Sequence, residues 1–453
     1  MQKKLNWKYL GKGDEEMNMN DLIIKKRDGG VLTEEEIRYF VAGYTQGNIP
    51  DYQMSAMLMA IYFKGMNKAE TCSLTVAMRD SGDIADLSSI KGVKVDKHST
   101  GGVGDKMTLI AGPIAAACGV PVAKMSGRGL GFTGGAVDKL EAVPGFQTTI
   151  PEERFVELVN KHGIAVIGQT GEIAPADKKI YALRDVTGTV ENISLITSSI
   201  MSKKLAAGSD CIVLDVKCGD GAFMQTQEEA EELGNLMIEI GNAAGKKTVG
   251  LISSMNQPLG RAVGNSMEVI EAIDTLKGKG QGEKDLIDLG LNLAGLMLYA
   301  GDRASSLREG FDMAAEALQN GSALEKMRQL IEGQGGDPRV MEDRSLFPRP
   351  ACKMEVRAPR TGVVTKLRAK TVGIASQHAG AGRMTKEESI DPTAGIYLVC
   401  KENCPVARGD VLAEVHGKDE AKVQAAAKIL ETAYEIGEQG GLEESVVKTL
   451  IGV

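Results

Sequence analysis

A short apolar strand that runs into a glycine-rich turn, and then into an apolar helix, constrains this chain most. Val93 and Val95 alternate ahead of KHSTGGVGDK (97–106), and Leu109 to Cys118 follows as a helix. Two further β-then-α units read the same way. Cys211 to Val216 precedes Gln227 to Ala244, and Thr248 to Ser253 precedes helices from about Met267 to Glu332. Strands alternating with long helices predict a central α/β domain with a mainly parallel sheet.

Length allows more than that one domain, since 453 residues correspond to about three at roughly 150 each. Residues 1–16 are polar and read as an extension without the apolar run of a signal peptide. Residues 17–85 carry helical signals. Thr33 with Glu36 and Asn67 with Glu70 are spaced as helix caps. Met54, Met57, Met59 and Met66 on or beside an intervening helix read as core or subunit interface rather than a cofactor box. Residues 175–207 are helical again, and with 17–85 they predict a discontinuous helical domain. The α/β domain then takes 86–174 and 208–335. A linker at 334–352 leads to a small α+β domain, 350–453, with strands in MEVRAPRTGVVTKL, GIYLVC and VLAEVHG and a helix from about Asp419 to Gly437.

A formal charge of −8 argues against a whole-surface binder of nucleic acid or anionic membrane. The longest uncharged run, Met107 to Ala123, is too short to span a bilayer and holds two prolines. Seven scattered cysteines read as reduced thiols of a cytoplasmic protein. Cys400 and Cys404 have no second Cys/His pair nearby, which argues against zinc.

Three constellations carry chemistry. In the first turn, Gly101, Gly102 and Gly104 let the backbone approach a ligand, while Lys97, Ser99 and the following helix N-terminus favour an anion. His98 stands in its middle, one of four histidines. In KMSGRGLGFTGGAVDKLEAVPGF (124–146), Lys124, Ser126 and Arg128 supply donors, with five glycines between 127 and 135. In RDVTGTVENISLITSSIMSKKLAAG (184–208), Ser199 and Lys203 are spaced to share a helix face, and Arg184 precedes them. Such donors suit the carbonyl oxygens of a polar heterocycle.

These segments, with IGQTGEIAPADKKIYALRDVTGTV and the C-terminal stretches Ala358 to Gly362 and Gly380 to Glu387, closely resemble the pyrimidine-nucleoside phosphorylases, from about Met17 to about residue 437. The resemblance implies a helical dimerisation domain, an α/β phosphate domain and a small C-terminal domain, with substrates in a cleft between the first two that closes on binding. It implies phosphate contacts from Lys97, Ser99, Thr108, Lys124 and Ser126, and pyrimidine contacts from His98, Arg184, Ser199 and Lys203. His98, Arg184 and Lys203 would be catalytic. The implied reaction is reversible phosphorolysis of a pyrimidine nucleoside to base and pentose 1-phosphate, in nucleoside salvage. Phosphate is co-substrate, and no organic cofactor, nucleic acid or membrane partner is expected. A cytoplasmic homodimer is expected.

Three residues depart from the family pattern: Phe132 where it has His, Ala136 where it has a phosphate-binding Thr, and Lys106 where many members have Thr. The last lies at a monovalent-cation site matched here by Gly104, Leu259, Ala262 and Glu271. Either potassium binds there or Lys106 replaces it. Two alternatives stay open: a related nucleoside-cleaving enzyme with altered sugar or acceptor use, and a non-catalytic nucleoside-binding relative.

Overall fold

The computed structural model describes residues 17–129, 131–169, 171–278, 282–385, 388–442 and 444–453. The extension read at 1–16 lies outside the described residues, as do Lys386 and Glu387 of the last C-terminal stretch. No helix among the described residues is long and apolar enough to cross a membrane.

The chain forms two compact units, of which the first runs to Ile84 and takes in Gly171–Ala206 as well. Its helices are Met19–Arg27, Glu34–Gln46, Asp51–Lys64, Lys68–Arg79, Pro175–Thr187 and Ile193–Ala206. Both sequence-read caps form as reciprocal capping boxes, Thr33 with Glu36 and Asn67 with Glu70. Glu70 is itself buried and also accepts from Lys26 Nζ at 2.7 Å and the Leu32 amide at 2.9 Å, which ties three helix ends together. The core is built from Phe40, Met54, Met57, Leu58, Ile61, Leu74, Met78, Ile180 and Leu195. Met54 and Met57 are thus core residues, while Met59 is exposed.

The second unit holds Ala85–Thr170 and Ala207–Val453. Its first five strands are β1 (Val95–Ser99), β2 (Val122–Ser126), β3 (Ile164–Gly168), β4 (Cys211–Cys218) and β5 (Lys247–Ser254). β1, β4 and β5 pair in parallel, as do β2 and β3, and the Val95 amide reaches the Pro121 carbonyl at 3.2 Å to join the two groups. Every residue of β4 is buried, as befits a parallel strand covered on both faces. Helices Met107–Ala117 and Gln227–Ala243 make the crossovers after β1 and β4.

Beyond the two 3-10 turns at 338–346, the chain continues with β7 to β13. Counting from the earlier Ala262–Gly264 (β6), these are Cys352–Arg357 (β7), Gly362–Leu367 (β8), Gly395–Leu398 (β9), Pro405–Val406 (β10), Val411–Gly417 (β11), Tyr434–Gly437 (β12) and Val447–Ile451 (β13). They form antiparallel sheets in the orders β6-β9-β11-β7 and β10-β8-β12. β13 instead pairs antiparallel with β5 at the edge of the central sheet. The helix expected over 419–437 stops at Glu431. Asp419 caps its start, and Tyr434–Gly437 alternates as a strand against β8. Pairing to a strand some seventy residues away overrides the local helical pattern there.

Candidate active site

Lys97, His98 and Ser99 end β1, and Lys124 and Ser126 end β2. The period of two puts Lys97 and Ser99 on one face of their strand, and Lys124 and Ser126 on one face of theirs. Both sets stand at the carboxyl ends of parallel strands, where open α/β sheets bind ligands. Thr108, half-buried, is the second residue of helix Met107–Ala117, at its positive end.

The cations are held by carboxylates that sequence reading passed over. Lys97 and Lys124 are both buried. Lys97 Nζ lies 3.3 Å from Asp215, and Lys124 Nζ lies 3.0 Å from Asp96. Asp215, fully buried on β4, also binds Lys217 Nζ at 2.7 Å and the Ser253 hydroxyl at 2.6 Å. Burial would raise the Asp105 carboxyl, but Lys97, Lys217 and Lys139 and a bond from Ser99 hold it far below the usual range. Two opposite charges in the otherwise apolar strand CIVLDVKC were the available signal.

The second glycine turn is braced from within. Asp138 accepts from the Gly129 amide at 2.5 Å and from Arg128 at 2.8 Å, while Arg128 also grips Glu141. Arg128 therefore braces the turn. Lys139, fully buried, spans to the first turn, donating to the Asp105 carbonyl at 2.7 Å and pairing with Glu268 at 3.0 Å. A Cβ at Gly135 would collide with the backbone of Gly129 and Arg128, so the turn closes only with glycine there. Phe132 packs on Gly373 of helix Ala369–Ser376, with Lys370 Nζ 5.9 Å over its ring. Ala136, half-buried, opens helix Ala136–Leu140 and brings no hydroxyl.

Lys106 ends the first turn and is fully buried. Its ammonium donates to the carbonyls of Leu259 at 2.9 Å and Ala262 at 3.0 Å, and to Glu271 at 2.8 Å. Burial pulls Lys106 down, but Glu271, Glu268 and Asp285 outweigh it and hold it above the ordinary lysine value. Gly104, at φ +73°, brings the turn so close that a Cβ would lie 2.5 Å from the Leu259 carbonyl. The donor set that a monovalent cation would need is thus engaged by a side-chain cation, and these residues do not fit an added ion. Among the described residues, no group of three or more His, Cys, Asp or Glu is placed to hold a metal.

In the first unit, Lys203 Nζ donates to Ser199 Oγ at 2.9 Å, as their spacing predicts, and to the buried Asp177. Lys203 keeps part of its side chain exposed, whereas Ser199 is buried. Asp177 lies in the APADKK segment, where nothing in the local spacing marks it as the partner of Lys203. Arg184 is more enclosed than a surface donor. It is 1% exposed and donates to the carbonyls of Thr189 at 3.1 Å, Leu195 at 3.1 Å and Val190 at 2.6 Å. Three of its five N–H groups are taken by backbone. Burial brings its pKa down to about 10, so it remains a cation at neutral pH. The arrangement offers lysine-rich anion binding on one unit and a Lys–Ser pair backed by a carboxylate on the other.

Comparison with known proteins gives consistent matches. Residues 20–82 match the glycosyl transferase family helical bundle domain and 91–324 its a/b domain. Residues 363–437 match the pyrimidine nucleoside phosphorylase C-terminal domain. The pyrimidine-nucleoside phosphorylase of Staphylococcus haemolyticus is 54% identical over 423 residues, covering 93% of this chain and 97% of its own. That of Staphylococcus aureus strain USA300 is 55% identical over 400 residues, covering 88% and 92%. The crystal structure of anthranilate phosphoribosyltransferase from Thermus thermophilus shares the fold, with a TM-score of 0.54 at 22% identity over 69% of this chain and 99% of that one.

Proposed function

Because the chain belongs to the pyrimidine-nucleoside phosphorylases, we propose that it catalyses the reversible phosphorolysis of pyrimidine nucleosides to free base and pentose 1-phosphate. The observation that carries this reading is the pair of buried lysines, Lys97 and Lys124, near the carboxyl ends of β1 and β2, each a strand of a parallel pair that runs into a glycine-rich turn. With Ser99, Thr108 and Ser126 they suit a phosphate dianion. A phosphate oxygen forms its bond to the anomeric carbon as the glycosidic C–N bond breaks. The bonding pair leaves with the pyrimidine nitrogen, and the base then takes a proton. Lys203, Ser199, Arg184 and His98 act on the departing base. A lysine ammonium near developing negative charge is the chief stabilising element, because it is already in place and need not reorganise. Asp177 pairs with Lys203 and aims its ammonium.

We assign the cation role at the end of the first turn to Lys106. No step requires added potassium in this scheme. Dimerisation through the helical unit is supported by Tyr52, Met59 and Phe63, which leave one stripe of helix Asp51–Lys64 apolar and exposed.

The test is base release from uridine, thymidine, deoxyuridine and cytidine, with and without phosphate. Phosphate-dependent release with pentose 1-phosphate as product is expected. Release at the same rate without phosphate would overturn the reading in favour of hydrolysis.

A further inference from the structure

We propose that Cys400 and Cys404 form a reversible intramolecular disulfide, making the 399–404 turn a thiol-exchange site for low-molecular-weight disulfides. The Sγ atoms stand 2.8 Å apart, closer than unbonded sulfurs usually pack. The backbone holds both residues in place. The Cys400 amide donates to the Leu412 carbonyl at 3.0 Å, and the Cys404 carbonyl accepts from Val364 at 3.0 Å. A turn bond from the Cys404 amide to the Lys401 carbonyl, 3.2 Å, closes the segment, with Asn403 at φ +68°. The Tyr434 hydroxyl fixes the Cys400 carbonyl from the other side at 3.1 Å. Bond formation therefore asks for little backbone movement.

The two sulfurs differ in access. Cys400 is buried, whereas Cys404 is half-exposed. Burial, and then the neighbouring Cys404 thiol, push Cys400 up to about 12, so Cys404 is the sulfur that reacts first. Its thiolate attacks one sulfur of the small disulfide, forming a mixed disulfide and releasing one thiolate, which takes up a proton. Cys400 then loses its proton and attacks the Cys404 sulfur, expelling the second small thiol. Two protein thiols and one small disulfide thus become one protein disulfide and two small thiols, with no other oxidant. Arg261, which donates to the Leu398 and Val399 carbonyls at 3.2 and 2.6 Å, supplies positive charge close to Cys400 during that second step.

The turn is not an idle loop. Lys401, between the cysteines, donates to the Pro258 carbonyl at 2.9 Å and to Asp285 at 2.6 Å. Asp285 in turn accepts from the Gly260 amide at 3.0 Å. The same segment, 258–262, gives Lys106 its two carbonyl partners.

Lys401 also makes the test direct, because trypsin cuts between the two cysteines. The full-length protein is incubated with oxidised glutathione, its remaining thiols are alkylated, and it is digested. The peptides on either side of Lys401 should stay joined, two hydrogen masses lighter than their sum, and separate after dithiothreitol. Cys400→Ser should instead collect one glutathione on Cys404, and Cys404→Ser should leave Cys400 alkylated. Unjoined peptides in the wild type, or a glutathione adduct that persists on Cys404 with Cys400 present, would overturn the proposal.

Discussion

Replacing Lys106 with Met keeps most of the side-chain volume and removes only the charge. Two carbonyls and the Glu271 carboxylate then lose their common donor, in a place where Lys106 is fully buried. Removing one partner of a buried ion pair costs about 3–5 kcal/mol. Glu271 keeps two backbone donors, the Arg261 amide at 2.7 Å and the Ala262 amide at 3.0 Å. Glu268 keeps Lys139 at 3.0 Å. The loss should therefore fall near the lower figure, about 3 kcal/mol. Urea unfolding at equilibrium measures it. Lys106 is raised in the folded state, so its contribution is fully present below the unfolded lysine value of about 10.4 and fades only as pH rises through the folded value. The gap between Lys106→Met and wild type should accordingly be flat from roughly pH 6 to 9. Lys106→Thr should be destabilised in tetramethylammonium buffer and recover in potassium, because an ion that binds only the folded chain stabilises it by mass action. The wild type should be indifferent to that exchange. A Lys106→Met variant within about 0.5 kcal/mol of wild type would refute the reasoning, as would a wild type that needs potassium.

Lys203→Ala should lower turnover, raising the activation free energy by about 2–4 kcal/mol, and should also lower the urea midpoint because the buried Asp177 loses its cation; unchanged kcat would remove Lys203 from the chemistry. Arg184→Ala should lower both turnover and stability, since three buried carbonyls lose their donor; full stability in that variant would contradict the observed enclosure. Ala136→Thr should tighten phosphate binding by about 0.5–1.5 kcal/mol, read as a lower phosphate KM, and an unaltered KM would mean that the hydroxyl does not reach the anion. Gly135→Ala should abolish activity with secondary structure retained by circular dichroism; full activity would show that the turn tolerates a Cβ against Gly129.

Features that rest on short-range rules were legible in the sequence. The caps at Thr33 and Asn67, the strand-turn-helix at 95–117 and the shared face of Ser199 and Lys203 need only spacing. The partners of Lys106 were legible only through resemblance, because Leu259, Ala262 and Glu271 lie more than 150 residues away along the chain. Charge balance inside the site was not legible. A glycine turn announces an anion site, but nothing local says that Asp215 holds Lys97, or that Arg128 is consumed by Asp138 and Glu141. Arg184 illustrates the same gap, since its enclosure depends on how Thr189 to Leu195 folds back over it. The strand at 434–437 was hidden because its partner lies across the fold rather than beside it.

The last strand, β13, bears on how such a molecule is made. It covers one side of β5, yet it emerges from the ribosome roughly 190 residues after β5 does. During that interval the backbone groups of Gly250–Ser253 that face β13 lack the partner they have in the finished fold, on a strand that is buried over most of its length there. A nascent chain therefore carries an open sheet edge, the kind of surface that pairs with other copies. Synthesis rate and polysome crowding should then govern yield more than the stability of the finished protein does. A tag or fusion at the carboxyl end would delay the moment when that edge is closed.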